Sequence, residues 1–408
     1  MALAAALTQD LDGNLAALVE LYQDFHRAPE LSMQEHATAE KIKGLLDERG
    51  YETFVCGGTG VVATLRNGDG PVVAYRADTD GLPIQEDTGA DFASTARGTL
   101  PDGTDVPVMH GCGHDTHITV ALETARLLAE HRDLWAGTAV FLFQPGEETS
   151  AGAAAMLEDG LWDRAPKPSA VFGQHVWPAT AGTVNVSVGT AMAMADSLEV
   201  TVRGRQAHGS QPESSIDPVV LGAFMVTRLQ TVVSRETSAR DMLVLTIATF
   251  HAGLKDNIIP DKAVFTINMR SFDEDVRARA LAAVERIVRA EAVAAGAPEP
   301  EIRRMYDFPR CYNDPELTRS LIESFREELG QDAVTEAPPV TGSEDVGRFG
   351  DAIGVPYTYW FFGGHRAESV EAGVPGNHSP MFLPDDVGTA LRTGVRAALT
   401  ALVGQLGR

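Results

Sequence analysis

The sequence predicts an α/β protein in which a mixed β-sheet lies between helices, interrupted by a small inserted α+β domain of ferredoxin-like type. Apolar stripes at helical spacing alternate with short runs rich in Val, Thr and Phe. The 408 residues are too many for one ordinary core. After about residue 191 the order becomes strand, helix, strand, strand, helix, strand. We therefore expect residues 1–190 and 307–408 to form one discontinuous domain and residues 191–306 a second.

Each expected element has its own pattern. Helices are indicated by apolar residues that recur every three or four positions, at Asn14–His26, Glu35–Arg49, His114–His131, Val219–Ser234, Asp273–Ala295, Asn313–Gly330 and Asp386–Leu402. Strands are indicated by short apolar or alternating runs, at Phe54–Val55, Gly60–Leu65, Pro71–Tyr75, Gly137–Phe143, Ala170–Gln174, Asp196–Gly204, Leu243–His251, Ala263–Met269, Glu301–Met305 and Pro356–Phe362. The run Gly137–Phe143 is apolar throughout, which is typical of a strand covered on both faces.

The segment between the first two helices is rich in charged residues. Ser32 and Glu35 have the spacing of a capping box, which predicts that their side chains open the second helix. His26 and Glu30 are equally consistent with the wall of a functional site and with ordinary surface positions.

The densest group of reactive side chains lies in the segment Met109–Thr119. It combines a thiol, imidazoles and a carboxylate, on His110, Cys112, His114, Asp115 and His117. Gly111 and Gly113 flank the cysteine and allow the backbone to bend without steric cost. On an extended chain Cys112 and His114 would point to the same face. This pattern indicates the start of a transition-metal site, which needs remote ligands to complete it.

Candidates for the remote ligands follow other expected strands. Asp78, the adjacent pair Glu147 and Glu148, and His175 each come near the carboxyl end of a strand, where α/β sheets usually build their sites. Adjacent glutamates point in different directions, so one could bind a metal while the other acts as general base on water. Asp78 could orient a ligand histidine. Taken singly, each of these residues is also consistent with a solvated loop or a structural role.

The composition limits the classes of partner. There are 33 basic and 57 acidic residues, and the net charge is −24. Phosphates would be repelled by such a chain, so we expect neither nucleic acid nor an anionic membrane as partner. Cys56, Cys112 and Cys311 are few and widely spaced, which argues against a disulfide framework and favours a reducing compartment. No signal peptide or membrane-spanning run is indicated, so we expect a cytoplasmic protein.

Nine segments resemble the peptidase M20 family, specifically its branch of bacterial and plant amidohydrolases that cleave N-acyl amino acids. In chain order they are HRAPELSMQE, YRADTDGLPIQE, MHGCGHDTH, QPGEET, GQHVWP, AHGSQPESSIDP, DNIIPDKA with Arg270, TGSEDVGRF and GNHSP. The resemblance implies a metallopeptidase catalytic domain with an inserted lid and dimerisation domain. It also implies a hydrolase of linear amide bonds, of the hippurate hydrolase, aminoacylase or auxin-conjugate hydrolase type.

The resemblance assigns roles to individual residues. It implies that two divalent metal ions are held by Cys112, His114, Glu148, His175 and His378. Glu147 would be the general base and Asp78 the orienting aspartate. On the small domain, His208 would stabilise the oxyanion, often in the neighbouring subunit of a dimer. Asn257 and Arg270 would hold the substrate carboxylate.

Metal type and substrate class are constrained less tightly. A cysteine among histidine and glutamate ligands suits zinc, nickel, cobalt or manganese better than calcium or magnesium. The expected substrate is a small N-acyl amino acid or a short peptide, and the expected assembly is a homodimer through the small domain. The lid loop RQAHGSQPES is less glycine-rich than the family pattern, and the stretch Ser94–Pro107 looks extended. Both departures leave the choice of substrate open.

Other functions remain open at this point. A dipeptidase or carboxypeptidase of the same family would use the same residues. Cys112 could instead be a nucleophile with His114 as its base, although their spacing aims both side chains at one target and not at each other. A metal-dependent binding protein is the third alternative, but such a protein needs no general base, and Glu147 and Glu148 are both present.

Overall fold

The computed structural model describes residues 6–8 and 10–407 and divides the chain into two compact units. The first unit comprises Met1–Ala191, Tyr312–Pro339 and Asp345–Arg408. The second comprises Met192–Cys311 and Val340–Glu344. The second unit therefore includes a short later segment that the sequence prediction placed in the larger domain.

The elements are named here in chain order. The α-helices are α1 Leu11–His26, α2 His36–Glu48, α3 His114–Glu130, α4 Gly152–Glu158, α5 Leu161–Arg164, α6 Pro218–Glu236, α7 Glu274–Ala294, α8 Pro315–Leu329, α9 Gly347–Asp351, α10 Ala367–Ala372 and α11 Val387–Gln405. The strands are β1 Glu52–Cys56, β2 Gly60–Asn67, β3 Val72–Asp78, β4 Arg97–Thr99, β5 Asp105–Pro107, β6 Gly137–Gln144, β7 Ala170–Thr180, β8 Val184–Val186, β9 Gly189–Met192, β10 Met194–Arg203, β11 Ala207–His208, β12 Leu243–Ala252, β13 Ile258–Ile259, β14 Lys262–Ser271, β15 Glu301–Phe308, β16 Cys311–Asn313, β17 Val334–Glu336 and β18 Tyr357–His365.

An eight-stranded mixed sheet forms the centre of the first unit, in the order β1-β2-β6-β3-β7-β18-β8-β17. The pairs β6-β3, β3-β7 and β7-β18 are parallel. Antiparallel pairs lie on either side, namely β1-β2, β2-β6 and β18-β8. Because parallel strands end at the same edge of a sheet, the residues that follow β3 and β6 are brought close together.

The central strands are buried because helices cover the sheet. Every residue of β6 and of β18 is buried. One continuous apolar core joins Tyr22 of α1, Ile42 of α2 and Leu122 of α3 to Phe141 of β6 and Leu399 of α11. The apolar run that predicted β6 therefore has its cause in burial on both faces. The structure confirms the predicted mixed sheet among helices.

The second unit has a separate core and an antiparallel sheet in the order β12-β14-β10-β15. Its elements follow one another as β10, α6, β12, β14, α7 and β15. The core includes Met225 of α6, Phe265 of β14 and Val284 of α7. This order of elements is typical of a ferredoxin-like domain.

Strand β7 is longer than expected. The predicted strand ends at Gln174, whereas β7 continues to Thr180 and His175 lies inside it. The extension is stabilised by β18, which pairs with β7 in parallel from Tyr357 onwards and places Phe361 opposite His175. His175 is therefore held by the hydrogen-bonded ladder and not by a loop.

The predicted capping box is wrong. Helix α2 begins at His36, and the residue before it, Glu35, forms no side-chain cap. Glu30 caps the helix instead, because its carboxylate accepts hydrogen bonds from the N–H groups of Ala37 at 3.1 Å and Thr38 at 2.8 Å. This leaves the side chains of Ser32 and Glu35 available for contacts elsewhere.

Two further features concern the rest of the chain. The stretch Ser94–Pro107 contains the hairpin β4-β5, in which Arg97 pairs with Pro107. Across residues 6–8 and 10–407, no helix is both long and apolar enough to cross a membrane.

Candidate metal centre

Gly113 shapes the segment that carries the first two candidate ligands. It precedes α3 with φ of +85°, in the left-handed region that favours glycine. A Cβ atom at this position would lie 2.4 Å from Cγ1 of Val176. Only glycine therefore fits between Cys112 and His114, and the tight turn brings their side chains to the edge of the sheet.

His114 has one engaged and one available ring nitrogen. Its Nδ1 lies 3.1 Å from Oδ1 of Asp80. Its Nε2 is buried and forms no hydrogen bond within the described part of the chain. This nitrogen lies 3.8 Å from Oδ2 of Asp78 and 3.8 Å from Oε1 of Glu148. A buried imidazole nitrogen that faces two carboxylates has the surroundings of a metal ligand.

The carboxylate that orients His114 is that of Asp80. The sequence predicted Asp78 as the orienting aspartate, without indicating which ligand histidine it would orient. Asp78 hydrogen-bonds instead to Nδ1 of His117. Nε2 of His117 accepts a hydrogen bond from the N–H of Val176 at 2.8 Å. Both nitrogens of His117 are thus engaged, which removes it from the candidate ligands. Asp78 also receives a hydrogen bond from Nη1 of the fully buried Arg76 at 2.6 Å.

The remaining candidate ligands converge on the same place. Nε2 of His175 lies 3.3 Å from Sγ of Cys112. Nε2 of His378 lies 3.2 Å from Oε1 of Glu148. The turn that carries His378 is fixed to the cysteine segment, because the His378 N–H donates to the carbonyl oxygen of Gly111 at 2.8 Å. Oε2 of Glu147 lies 4.0 Å from Nε2 of His114. The structure therefore brings together all six residues predicted as ligands or base.

A bound cation would stabilise the charged forms of the buried thiol and carboxylates in this cluster. Burial, together with Glu148, Glu147 and Asp78, raises the pKa of the Cys112 thiol well above its usual range. Burial lowers the pKa of His175 well below its usual value, and the neighbouring His117 and His114 lower it further. Cys112 would therefore release its proton only when a positive charge is bound beside it.

His114 shows the opposite behaviour. Burial opposes a positive charge on its ring, but Asp78 and Asp80 outweigh burial and raise the pKa of His114 to about 10. Without a metal ion, the imidazole of His114 therefore binds a second proton. A metal ion bound to this ring would displace that proton.

The ligand atoms lie close enough together to surround metal ions. Three groups each have their donor atoms within 4.8 Å of one another: Cys112 with His114 and His175, Cys112 with Glu148 and His378, and His114 with Glu147 and Glu148. Donors bound to one zinc ion at about 2.0–2.3 Å lie about 3.3–3.8 Å apart in a tetrahedron. The residues present therefore fit a metal centre, and Cys112 belongs to two of the groups.

A second buried cluster lies beside the metal segment, and its charge was not foreseen. Nδ1 of His26 lies 2.6 Å from Oδ2 of Asp115, and Nε2 lies 3.1 Å from Oε1 of Glu86. Burial opposes protonation of His26, but hydrogen bonds to Asp115 and Glu86 raise its pKa to about 9. No local sequence pattern indicates this cluster, because Glu86 and Asp115 are 60 and 89 positions away from His26.

The predicted substrate-binding residues belong to the second unit. His208 is exposed, with Nδ1 2.7 Å from Oγ of Ser210. Asn257 lies beside this segment, because its carbonyl oxygen accepts a hydrogen bond from the N–H of Gly209 at 2.8 Å. Arg270, on β14, donates through Nη1 to Oγ of Ser343 at 2.7 Å. His208 and Asn257 are thus neighbours.

Thiol, imidazole and carboxylate ligands at the edge of a sheet between helices are typical of metal-dependent hydrolases. The chain belongs to peptidase family M20/M25/M40, whose family model matches residues 74–400. It is a hydrolase of that family, as the sequence predicted.

Relatives support the assignment over nearly the whole chain. The chain is 34% identical to N-acetylcysteine deacetylase of Bacillus subtilis over 391 residues, which are 95% of this chain and 96% of the relative. It is 34% identical to thermostable carboxypeptidase 1 of Saccharolobus solfataricus, over 90% of this chain and 91% of the relative. The crystal structure of the Bacillus subtilis YXEP protein, a dinuclear metal-binding peptidase of family M20, matches with a TM-score of 0.76 and 29% identity. That match covers 97% of this chain and 99% of the other.

Proposed function

We propose that the protein is a metal-dependent amidohydrolase that cleaves the amide bond of N-acyl amino acids. The observation that carries the proposal is the pair of ligand groups that share Cys112, with the carboxylate of Glu147 beside them. The relative named as a deacetylase of N-acetylcysteine supports an N-acyl amino acid as substrate.

We assign two divalent metal ions to the centre. Cys112, His114 and His175 would hold one ion, and Cys112, Glu148 and His378 would hold the other. The mixture of thiolate, imidazole and carboxylate favours zinc, manganese, nickel or cobalt. When bound, the ions supply Lewis acidity that polarises the amide carbonyl and lowers the pKa of water.

Glu147 provides the proton transfer. It is adjacent to the ligand Glu148 in the chain and is only 5% exposed, so its carboxylate lies next to the metal ligands in a site with little water. It accepts a proton from the attacking water as the water oxygen bonds to the amide carbon. It then donates that proton to the leaving nitrogen as the carbon–nitrogen bond breaks. General acid–base catalysis of this kind contributes about 100- to 10,000-fold in rate.

The second unit would act as a lid, in which His208 stabilises the oxyanion and Asn257 and Arg270 bind the substrate carboxylate. His208 and Asn257 lie on two neighbouring exposed segments, and Ser210 engages Nδ1 of His208, so Nε2 is the nitrogen for a substrate. Arg270 is held by Ser343 through one guanidinium nitrogen. Loss of one oxyanion donor typically costs about 100- to 1,000-fold in rate.

A homodimer would form through the second unit. Strand β12 is an edge of its sheet, and Val244 and Phe250 on this strand are exposed. On α6, Val220 and Phe224 are 52% and 62% exposed. An apolar edge strand beside an apolar helix face can pair with a second copy of itself, and pairing would bury both. We also propose the cytoplasm as the compartment, since the three buried cysteines are thiols.

Two alternatives make different predictions. A dipeptidase or carboxypeptidase would use the same centre, and the carboxypeptidase relative favours keeping short peptides in the substrate panel. A cysteine nucleophile is disfavoured, because burial and three carboxylates raise the pKa of Cys112. Such an enzyme would also keep its activity after chelation.

The experiment that tests the proposal distinguishes the roles of the two adjacent glutamates, Glu147 and Glu148. We expect Glu147→Gln to keep its bound metal and to lose turnover of hippurate, N-acetylmethionine, N-acetylcysteine or a dipeptide by at least about 100-fold. We expect Glu148→Ala to lose bound metal. The exposed Glu158 on α4 provides a control, because Glu158→Gln should change neither quantity. Undiminished turnover in Glu147→Gln would show that another group is the base.

A further inference from the structure

The backbone is held on both sides of Glu147 by buried carboxylates. The N–H of the preceding residue, Gly146, donates to Oε1 of Glu35 at 2.8 Å. The N–H of the following residue, Glu148, donates to Oδ2 of Asp80 at 3.1 Å. Glu35 and Asp80 are 0% and 1% exposed. Two carboxylates from distant parts of the chain therefore bind the backbone N–H groups of the residues on either side of the proposed base.

Glu35 makes these contacts from outside the metal segment. Its Oε1 also accepts a hydrogen bond from the N–H of Met33 at 2.8 Å, and its Oε2 accepts one from the hydroxyl of Thr59. Met33 packs against the same turn, because a Cβ atom on Gly146 would lie 2.5 Å from the Met33 sulfur. Glu35 precedes helix α2 but does not cap it, so helix formation does not account for its burial.

Asp80 connects the turn to a metal ligand. While Oδ2 binds the N–H of Glu148, Oδ1 lies 3.1 Å from Nδ1 of His114. Ser32 donates its hydroxyl to Oδ2 at 2.6 Å and so fixes the carboxylate. Because Oδ1 retains the Nδ1 proton, loss of the second ring proton leaves the lone pair of His114 on Nε2, the nitrogen that faces the metal centre.

We propose that Glu35 and Asp80 are positioning residues for the hydrolytic reaction, and that together they fix the backbone that places the carboxylates of Glu147 and Glu148 beside Nε2 of His114. This inference rests on the proposed function. In a mobile turn, the side chains of two adjacent glutamates would sample several rotamers, and neither carboxylate would stay in one position. A misplacement of about 1 Å in a catalytic group can cost about 100-fold in rate.

The two positions allow variants that separate shape from charge. Glu35→Gln keeps an oxygen for the N–H groups of Gly146 and Met33, and its amide can donate to the Thr59 hydroxyl. Glu35→Ala removes the side chain that binds the N–H of Gly146. Asp80→Asn has no satisfactory orientation, because its NH2 group must face either the N–H of Glu148 or the Nδ1 proton of His114.

A matched control lies on α3 in the same unit. Glu123 is 3% exposed, and its carboxylate binds Arg126 and Asn14 but not the turn. Glu123→Gln therefore removes a buried carboxylate without touching the proposed machinery. If Glu35→Ala does not fold, Glu35→Asp takes its place in the comparison. The aspartate side chain is one methylene shorter, which moves the carboxylate away from the N–H of Gly146.

The experiment compares these variants in steady-state turnover and in metal competition against a coloured chelator. We expect Glu35→Ala to lower kcat about 10- to 100-fold with little change in KM and with two metals retained, whereas Glu35→Gln stays close to wild type. We expect Asp80→Asn to weaken metal binding about 10- to 100-fold, which the chelator measures independently of activity.

Three outcomes would overturn the proposal. They are an unchanged kcat in Glu35→Ala, an unchanged metal affinity in Asp80→Asn, and a loss in Glu123→Gln as large as that in Glu35→Ala. If the wild-type protein hydrolyses no member of the substrate panel, the proposed function fails by itself. Metal affinity of Asp80→Asn and the position of the Glu147 carboxylate in a crystal structure of Glu35→Ala would then still decide whether the two residues position the turn.

Discussion

His26 should carry a positive charge inside the folded protein at neutral pH. It is 1% exposed and lies between the carboxylates of Asp115 and Glu86. Other groups around it are the rings of Phe92 and Tyr22, with centroids 5.3 Å and 5.7 Å away, and the imidazole of His110, whose pKa burial lowers to about 4. None of these groups supplies a competing charge at pH 7, so the two carboxylates decide the state of His26.

The magnitude follows from the shift in pKa. The pKa of His26 rises from 6.5 to about 9 in the folded protein. One unit corresponds to about 1.4 kcal/mol, so the bound proton contributes about 3 kcal/mol to the free energy of unfolding. Because the folded pKa is raised, this contribution is complete below about pH 6.5 and is lost as the pH rises to about 9.

The test compares wild type with His26→Gln by urea unfolding of the metal-free protein at pH 6.5 and pH 9.5. Tryptophan fluorescence reports on the correct unit, since all four tryptophans, at positions 135, 162, 177 and 360, lie in the first unit with His26. We expect the stability advantage of wild type over the variant to shrink by about 3 kcal/mol between these pH values. An advantage of equal size at both would refute a charged His26.

Three further variants test other parts of the structure. Gly113→Ala should weaken metal binding at least about 10-fold, because it strains the backbone and meets Val176. Gly111→Ala is the control, because its Cβ would meet only the ends of the Ile84, Leu82 and Met109 side chains, and metal competition against a chelator measures both variants. Arg76→Met should lower the free energy of unfolding by about 3–5 kcal/mol in urea, since it leaves buried carboxylates without their cation. Phe224→Glu should convert a dimer into monomers in analytical ultracentrifugation, and a wild-type monomer would rule out the proposed interface.

The sequence was most informative where ligands are close together in the chain. Cys112 and His114 lie two residues apart around a glycine, so local chemistry predicted their convergence. The family was also recognised from motif order, and the match of the family model confirms it. Glu148 and His175 became candidates because parallel strands end at one edge of the sheet, and the family resemblance then predicted them as ligands.

Asp78 and Asp80 show where such reasoning fails. They lie two residues apart at the end of the same strand, so an extended chain places both on one face, and the sequence cannot tell which of them reaches His114. Strand β3 ends at Asp78, so Asp80 lies beyond the strand. This places Asp80 on Nδ1 of His114 and leaves Asp78 to His117.

Ser32 and Glu35 illustrate a second limit. Their spacing matches a local motif, yet their side chains also bind residues 48 and 111 positions away, Asp80 and Gly146. Long-range contacts to a buried site outweighed a capping box, which would contribute only about 1 kcal/mol. No single-sequence pattern carries that information.

The most direct test of the account is the metal content of the purified protein, measured together with amide hydrolysis before and after chelation. We expect about two divalent ions per chain, loss of hydrolysis of N-acyl amino acids when they are removed, and recovery when zinc, manganese, cobalt or nickel is restored. Hydrolysis that persists in metal-free protein would contradict the account and would direct attention back to Cys112 as a nucleophile.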